Sequence, residues 1–159
     1  MYIHIFVLIM RIEQAIHQKK FRSEYQKLVV NLLYSASWLN QITGKLLRPF
    51  GISPEQYNLL RILRGMHPEP ATVKTLTERM IDKTSNASRL VEKLRQKGLV
   101  ERSECPLDRR RVDVQITEKG LSLLADASVA MENDLEQSFI LLGESEAAML
   151  NDLLDKMRG

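Results

Sequence analysis

Apolar positions recur at helical spacing over most of the chain. Tyr25, Leu28, Val29, Leu32, Ala36, Leu39, Ile42 and Leu46 fall on one face of a helix. Ser23 with Gln26 three residues later forms a capping-box pattern at its start, and Pro49 stops it near Gly51. The more polar residues 11–20 fit a short preceding helix. A second start is sharper: Ser53 caps, Pro54 suits the first helical position and Gln56 completes the box. Tyr57, Leu60, Leu63 and Met66 give that helix its inward stripe. His67-Pro68-Glu69-Pro70 ends it, since neither proline has an N–H to donate.

Thr72 opens a short helix with Val73, Leu76 and Met80 inward. After a turn around Ile81-Asp82, a further helix is predicted from about Thr84 to Lys97, with Ala87, Leu90, Val91 and Leu94 on its buried side. Gly98 ends it, as a residue free to take positive φ. Two short helices across a tight turn outline a helix-turn-helix. The period then falls to two. Leu99-Val100-Glu101-Arg102 reads as one strand, and Val112, Val114 and Ile116 alternate with Asp113 and Gln115 in a second. The hairpin tip between them, Ser103 to Arg111, is polar and basic. Thr117 caps a long helix through Leu121, Leu124, Ala127, Met131, Leu135 and Phe139. Gly143 breaks it, and Met149, Leu150, Leu153, Leu154 and Met157 mark a last helix. The pattern is mainly α with a small β-hairpin wing. It divides into residues 1–50 as an N-terminal segment and helix, 51–119 as a winged helix-turn-helix, and 120–159 as C-terminal helices.

Composition narrows the class. The 159 residues are 44% hydrophobic and 27% charged, the balance of a globular domain with one core. The single Cys cannot close an intrachain disulfide and fits a reducing compartment. His4, His17 and His67 share no ligand spacing, so no metal and no cofactor are expected. The apolar run Tyr2–Met10 is too short to span a bilayer and lacks the flanks of a signal peptide. It is either an extra buried segment or sequence upstream of a start at Met10. A cytoplasmic protein without a membrane partner is expected. No Gly-rich phosphate loop, Ser–His or Cys–His motif, or paired carboxylates point to an enzyme.

Charge is uneven. Residues 1–71 carry +5, residues 72–119 carry +4 and residues 120–159 carry −6, within a net +3. A basic front with an acidic tail suits a polyanion on part of the surface. The candidate contacts are Thr84, Ser85, Asn86, Ser88 and Arg89, short hydrogen-bonding side chains with one guanidinium at a helix start. Such groups meet phosphates at a helix N-terminus and base edges in a major groove, where Asn pairs with adenine and Arg with guanine. The same residue types also serve simply as caps. Arg109, Arg110 and Arg111 on the hairpin tip would offer cations to a phosphate backbone or a narrow minor groove. Asp108, two residues before Arg110, can hold that side chain extended. A solvated charged turn is the plainer reading of that tip.

From Ser53 to Gly120 the sequence resembles the winged-helix regulators of the multiple-antibiotic-resistance regulator (MarR) family. The matching residues are Ser88-Arg89-Leu90-Val91-Glu92-Lys93-Leu94 and Lys97-Gly98-Leu99-Val100-Glu101-Arg102. They are joined by the wing signature Asp108-Arg109-Arg110, followed by Val114, Ile116, Thr117, Lys119 and Gly120. The flanking helices fit the same layout beyond about residue 20. The resemblance implies a homodimer with interlocked terminal helices, on double-stranded DNA. Helix 84–97 then enters a major groove, and Arg110, braced by Asp108, enters the adjacent minor groove. It implies a transcriptional regulator, a repressor of nearby genes acting on a pseudo-palindromic operator, released by a small phenolic effector. Tyr34, Trp38 and Arg64 are placed by position to line such an effector pocket. The peroxide-sensing cysteine of some members lies near the N-terminus, so that mechanism does not carry over to Cys105. The alternative function is a winged-helix module that binds an acidic protein partner. Against it stands the polar start of helix 84–97, where protein interfaces prefer apolar anchors.

Overall fold

A computed structural model describes residues 10–105 and 108–159, with the side chains of 104–111 outside that description. The run Tyr2–Met10 therefore lies, but for Met10, outside the described residues. The elements are α1 (Ile12–Ala15), α2 (Glu24–Leu47), α3 (Pro54–Met66), β1 (Ala71–Thr72), α4 (Val73–Arg79), α5 (Ala87–Gln96), β2 (Val100–Cys105), β3 (Asp108–Ile116), α6 (Glu118–Ser138) and α7 (Glu144–Arg158). The chain forms two compact units, residues 1–42 and 43–159. Among the described residues no helix is long and apolar enough to cross a membrane.

In the N-terminal unit the Ser23 hydroxyl accepts from the Gln26 N–H at 3.2 Å, while the Gln26 side chain accepts from the Arg22 N–H at 2.7 Å. The Lys27 ammonium pairs with Glu13 at 2.6 Å, tying α2 to α1. The apolar stripe of α2 is only partly covered: Tyr25 is 83% and Val29 55% exposed, Leu32, Leu39, Ile42 and Leu46 are half-buried, and of the whole helix only Leu47 is buried. The helix stops at Leu47, earlier than the sequence pattern predicts. A 3-10 turn, Arg48–Phe50, carries the chain to Gly51 at φ 66°.

The core of the C-terminal unit forms where α3 packs on α4, α5, α6 and β3. Ser53 caps α3 as expected: its hydroxyl accepts from the Gln56 N–H at 3.3 Å, and its own N–H donates to Gln56 Oε1 at 3.1 Å. The inward face of α3 is wider than its sequence stripe. Leu59 and Ile62 are buried beside Leu60 and Leu63, and Tyr57 and Met66 only half. Packing on several sides removes the clean amphipathic signal. Tyr57 instead turns its hydroxyl to Ser128 of α6, 3.1 Å away.

The sheet is antiparallel with strand order β1-β3-β2. The third strand, β1, escapes the sequence pattern because it is only two residues, Ala71 and Thr72, paired with Val114 and Asp113. Placed between two neighbours, Asp113 is buried rather than facing solvent. The strands also run further than the sequence suggests. β2 continues to Cys105 and β3 begins at Asp108, with a shift in register between Glu104 and Cys105. Of the expected tip Ser103–Arg111, residues 103–105 and Asp108 have partners in the ladder, and the register shift falls opposite Arg109–Arg111. Thr117 accepts from the Gly120 N–H at 3.0 Å to start α6, and Leu124, Ala127 and Met131 bury one side of that helix. No residue of α7 is buried.

Candidate nucleic-acid interface

The buried residues of α5 are Ala87, Val91 and Leu94, so one face of the helix is fixed against the core. The opposite face is turned outward, with Ser88 and Arg89 exposed. The helix begins at Ala87, three residues later than the sequence predicts. Thr84 and Ser85 accordingly precede it, and Asn86 is the cap, its Oδ1 accepting from the Arg89 N–H at 3.0 Å. That bond takes one of the two lone pairs of the carbonyl, and Nδ2 remains to donate.

Asp82 organises the turn before the helix. Its Oδ1 accepts from the Thr84 N–H at 2.9 Å and from the Thr84 hydroxyl at 2.6 Å, and its Oδ2 from the Ser85 hydroxyl at 3.1 Å. The Thr84 hydroxyl, then the Thr84 N–H and the Ser85 hydroxyl, hold the Asp82 carboxyl below its ordinary value. One residue earlier, the Ile81 N–H donates to Asn58 Oδ1 of α3 at 3.1 Å. Met80 and Ala87 are buried on either side. The turn is thus held at both ends.

A shallow cleft of about 220 Å³ borders this surface, lined by Glu55, Ser85, Asn86, Arg89, Leu90 and Lys93. It adds Lys93 to the cationic rim. Four residues after Arg89, Lys93 shares its face by helical periodicity alone, a signal readable in the sequence. Further along α5, Glu92 binds Arg95 through two oxygens at 3.0 and 2.8 Å, which holds the Glu92 carboxyl below its usual value. The far end of the helix is tied to the start of α3: Lys97 donates to the Gly51 carbonyl and to Gln56 Oε1. Free polar groups therefore collect at the N-terminal end of α5.

Ser85, Asn86 and Arg89 line that cleft, Thr84 shares the Asp82 carboxylate with Ser85, and Ser88 is exposed on α5. Asp108, Arg109 and Arg110 belong by backbone to the first half of β3, and their side chains, with those of Arg111 and Cys105, lie outside the described residues. Tyr34 and Trp38 lie partly exposed on α2 of the N-terminal unit, and Arg64 is exposed on α3 of the C-terminal unit.

A MarR family model matches residues 50–111, from the end of the 3-10 turn into β3. The HTH-type transcriptional regulator YdcH of Bacillus subtilis is 30% identical over 131 residues, covering 80% of this chain and 88% of its own. The transcriptional repressor MprA of Escherichia coli is 27% identical over 151 residues, covering 92% and 86%. Among solved structures, the organohalide-sensing regulator RdhR-CbdbA1625 in its 2,4-dichlorophenol-bound form superposes with a TM-score of 0.79. It is 19% identical and covers 89% of this chain and 85% of that one, a likeness of fold. Winged helix, relatives and family model agree: the chain belongs to the MarR family of DNA-binding transcriptional regulators.

Proposed function

We propose that the protein represses transcription as a homodimer bound to a pseudo-palindromic operator. Each subunit lays the start of α5 in a major groove and reaches the neighbouring minor groove with the wing. The observation that carries this reading is the division of α5: Ala87, Val91 and Leu94 face the core while Asn86, Ser88 and Arg89 face solvent. Phosphate and base contacts need such a rigid helix with donors at its tip. Thr84, Ser85 and Arg89 then contact the duplex together with Arg109 and Arg110, and Asp108 braces Arg110. The name of MprA supports the repressor role. Release by a phenolic compound is the reading the family suggests, and a solved structure of like fold, the organohalide-sensing RdhR-CbdbA1625, holds 2,4-dichlorophenol.

Exposed apolar residues on α2 and α7, among the described residues, support dimerisation. A module with few base contacts also gains specificity from two-fold symmetry on two half-sites. The test is selection of bound fragments from the source genome, then footprinting with and without phenolic compounds. Binding should weaken with salt, log K falling by about 0.9 per phosphate neutralised for each unit of log salt. Arg110→Ala should weaken binding to all sequences. Fragments held no better than bulk DNA would end this reading.

A further inference from the structure

The turn before α5 carries chemistry that the docking scheme leaves unused. An ionised carboxylate only accepts hydrogen bonds, so a hydroxyl that touches it must spend its single proton there. The Thr84 and Ser85 hydroxyls both do so, at 2.6 and 3.1 Å from Asp82. What remains on each oxygen is lone pairs. Asn86 is the reverse: its Oδ1 accepts from the Arg89 N–H, and its Nδ2 is left to donate. In chain order the outer edge of the turn offers acceptor, acceptor, donor. Phosphate oxygens, which are acceptors themselves, gain nothing from the first two. In a major groove the complementary groups are the exocyclic amines, adenine N6 and cytosine N4.

We infer that Asp82 is a positioning residue that sets base preference. By taking the protons of Thr84 and Ser85 it turns both hydroxyls into acceptors, which select an adenine or cytosine amino group at the step they face. This rests on the reading that the start of α5 lies in the major groove. The clamp is built before DNA arrives, because the Ile81 N–H on Asn58 and the buried Met80 and Ala87 hold the turn from both sides. Asp82 itself is exposed and anionic, so it opposes phosphate and favours a base edge at the same spot.

Two variants of the full chain test it, by selection from duplexes randomised across the half-site. In Asp82→Asn the amide oxygen can still accept from Thr84, but the amide nitrogen now donates to Ser85 Oγ and frees that proton. Discrimination for the amino-bearing base should fall about tenfold at one position, and guanine or thymine, which offer acceptors there, should be recovered. Affinity for bulk DNA should hold or rise, as one negative charge is lost. Thr84→Val removes the lone pairs without changing shape at an exposed site. It keeps the Thr84 N–H bond to Asp82 and should relax the adjoining position by a similar factor, while equal melting temperatures of Asp82→Asn and wild type at pH below about 4 and a small gap at pH 7 show that the turn is kept. A wild-type motif recovered unchanged, with the same margin over bulk DNA, from these variants overturns the assignment to Asp82 alone. A wild-type chain that selects no motif at all overturns the docking reading beneath it.

Discussion

Gly120 lies where the first turn of α6 crosses the residue before β2. A Cβ there would collide with the Leu99 carbonyl oxygen and stand 2.8 Å from Ile116 Cγ1. A backbone carbonyl cannot swing away as a side-chain tip can. Gly120→Ala should therefore cost about 1–3 kcal/mol, read as a lower urea midpoint. Gly65→Ala in α3 meets nothing within 4 Å and should be neutral or stabilising by up to ~1 kcal/mol. Asn86 separates a cap from a contact. Asn86→Ala should cost about 1 kcal/mol by losing the bond to the Arg89 N–H and should alter operator choice as well. Asn86→Asp keeps the cap and loses the Nδ2 donor, so operator choice should change at unchanged stability, with a weaker hold on all DNA from the added negative charge. Asp82 adds a pH signature. Its native value lies below the ordinary 3.8, so its contribution is complete above that value and is lost as pH falls through the lowered one. The melting-temperature gap between wild type and Asp82→Asn should hold from pH 7 to about 4 and close as pH falls further.

The α3 helix shows how far local chemistry carries at the level of elements. Its cap is legible because Ser53, Pro54 and Gln56 act within four residues of one another. The same holds for Thr72 and Thr117, whose hydroxyls accept from Thr75 and Gly120. Gln56 has a second role that no local pattern shows. It is buried, and its Oε1 also accepts from the Lys97 ammonium at 3.2 Å, at the end of α5. Gln56→Leu should thus cost more than Ser53→Ala, about 2 against about 1 kcal/mol in thermal unfolding, although it places an apolar side chain in a buried position. The parts not read from sequence share this non-local origin. The start of α5 is misplaced because Thr84, Ser85 and Asn86 are all good caps, and Asp82 engages the first two. β1 is visible only through its pairing with β3, and the burial of Asp113 only through its central strand. The outward polar face of α5 was readable from period and residue type. The acceptor-only state of its hydroxyls was not, because it depends on which oxygen takes each proton.

For the whole molecule the unfinished feature is apolar surface. In the C-terminal unit Ile140 is 80% exposed, Met149 64% and Leu153 57%, and in the N-terminal unit α2 shows a similar row. Single exposed apolar residues are ordinary, but groups of them on neighbouring positions suit a surface that a partner covers. The proposed dimer supplies that cover. The last forty residues carry −6, so they are poorly suited to meet a polyanion themselves and well suited to face away from it. Since no residue of α7 is fully buried and Leu150 and Leu153 are exposed, these two can be changed without opening the winged-helix core. Leu150→Glu combined with Leu153→Glu should give a monomer at micromolar concentration in sedimentation. Its melting temperature should no longer rise with protein concentration, as it must for a dimer whose association is linked to folding. Operator affinity should fall towards that of one half-site, at least about tenfold, while the urea transition of the core remains cooperative. A double variant that still sediments as a dimer and binds as tightly as wild type would remove α7 from the interface and leave its exposed leucines to another partner.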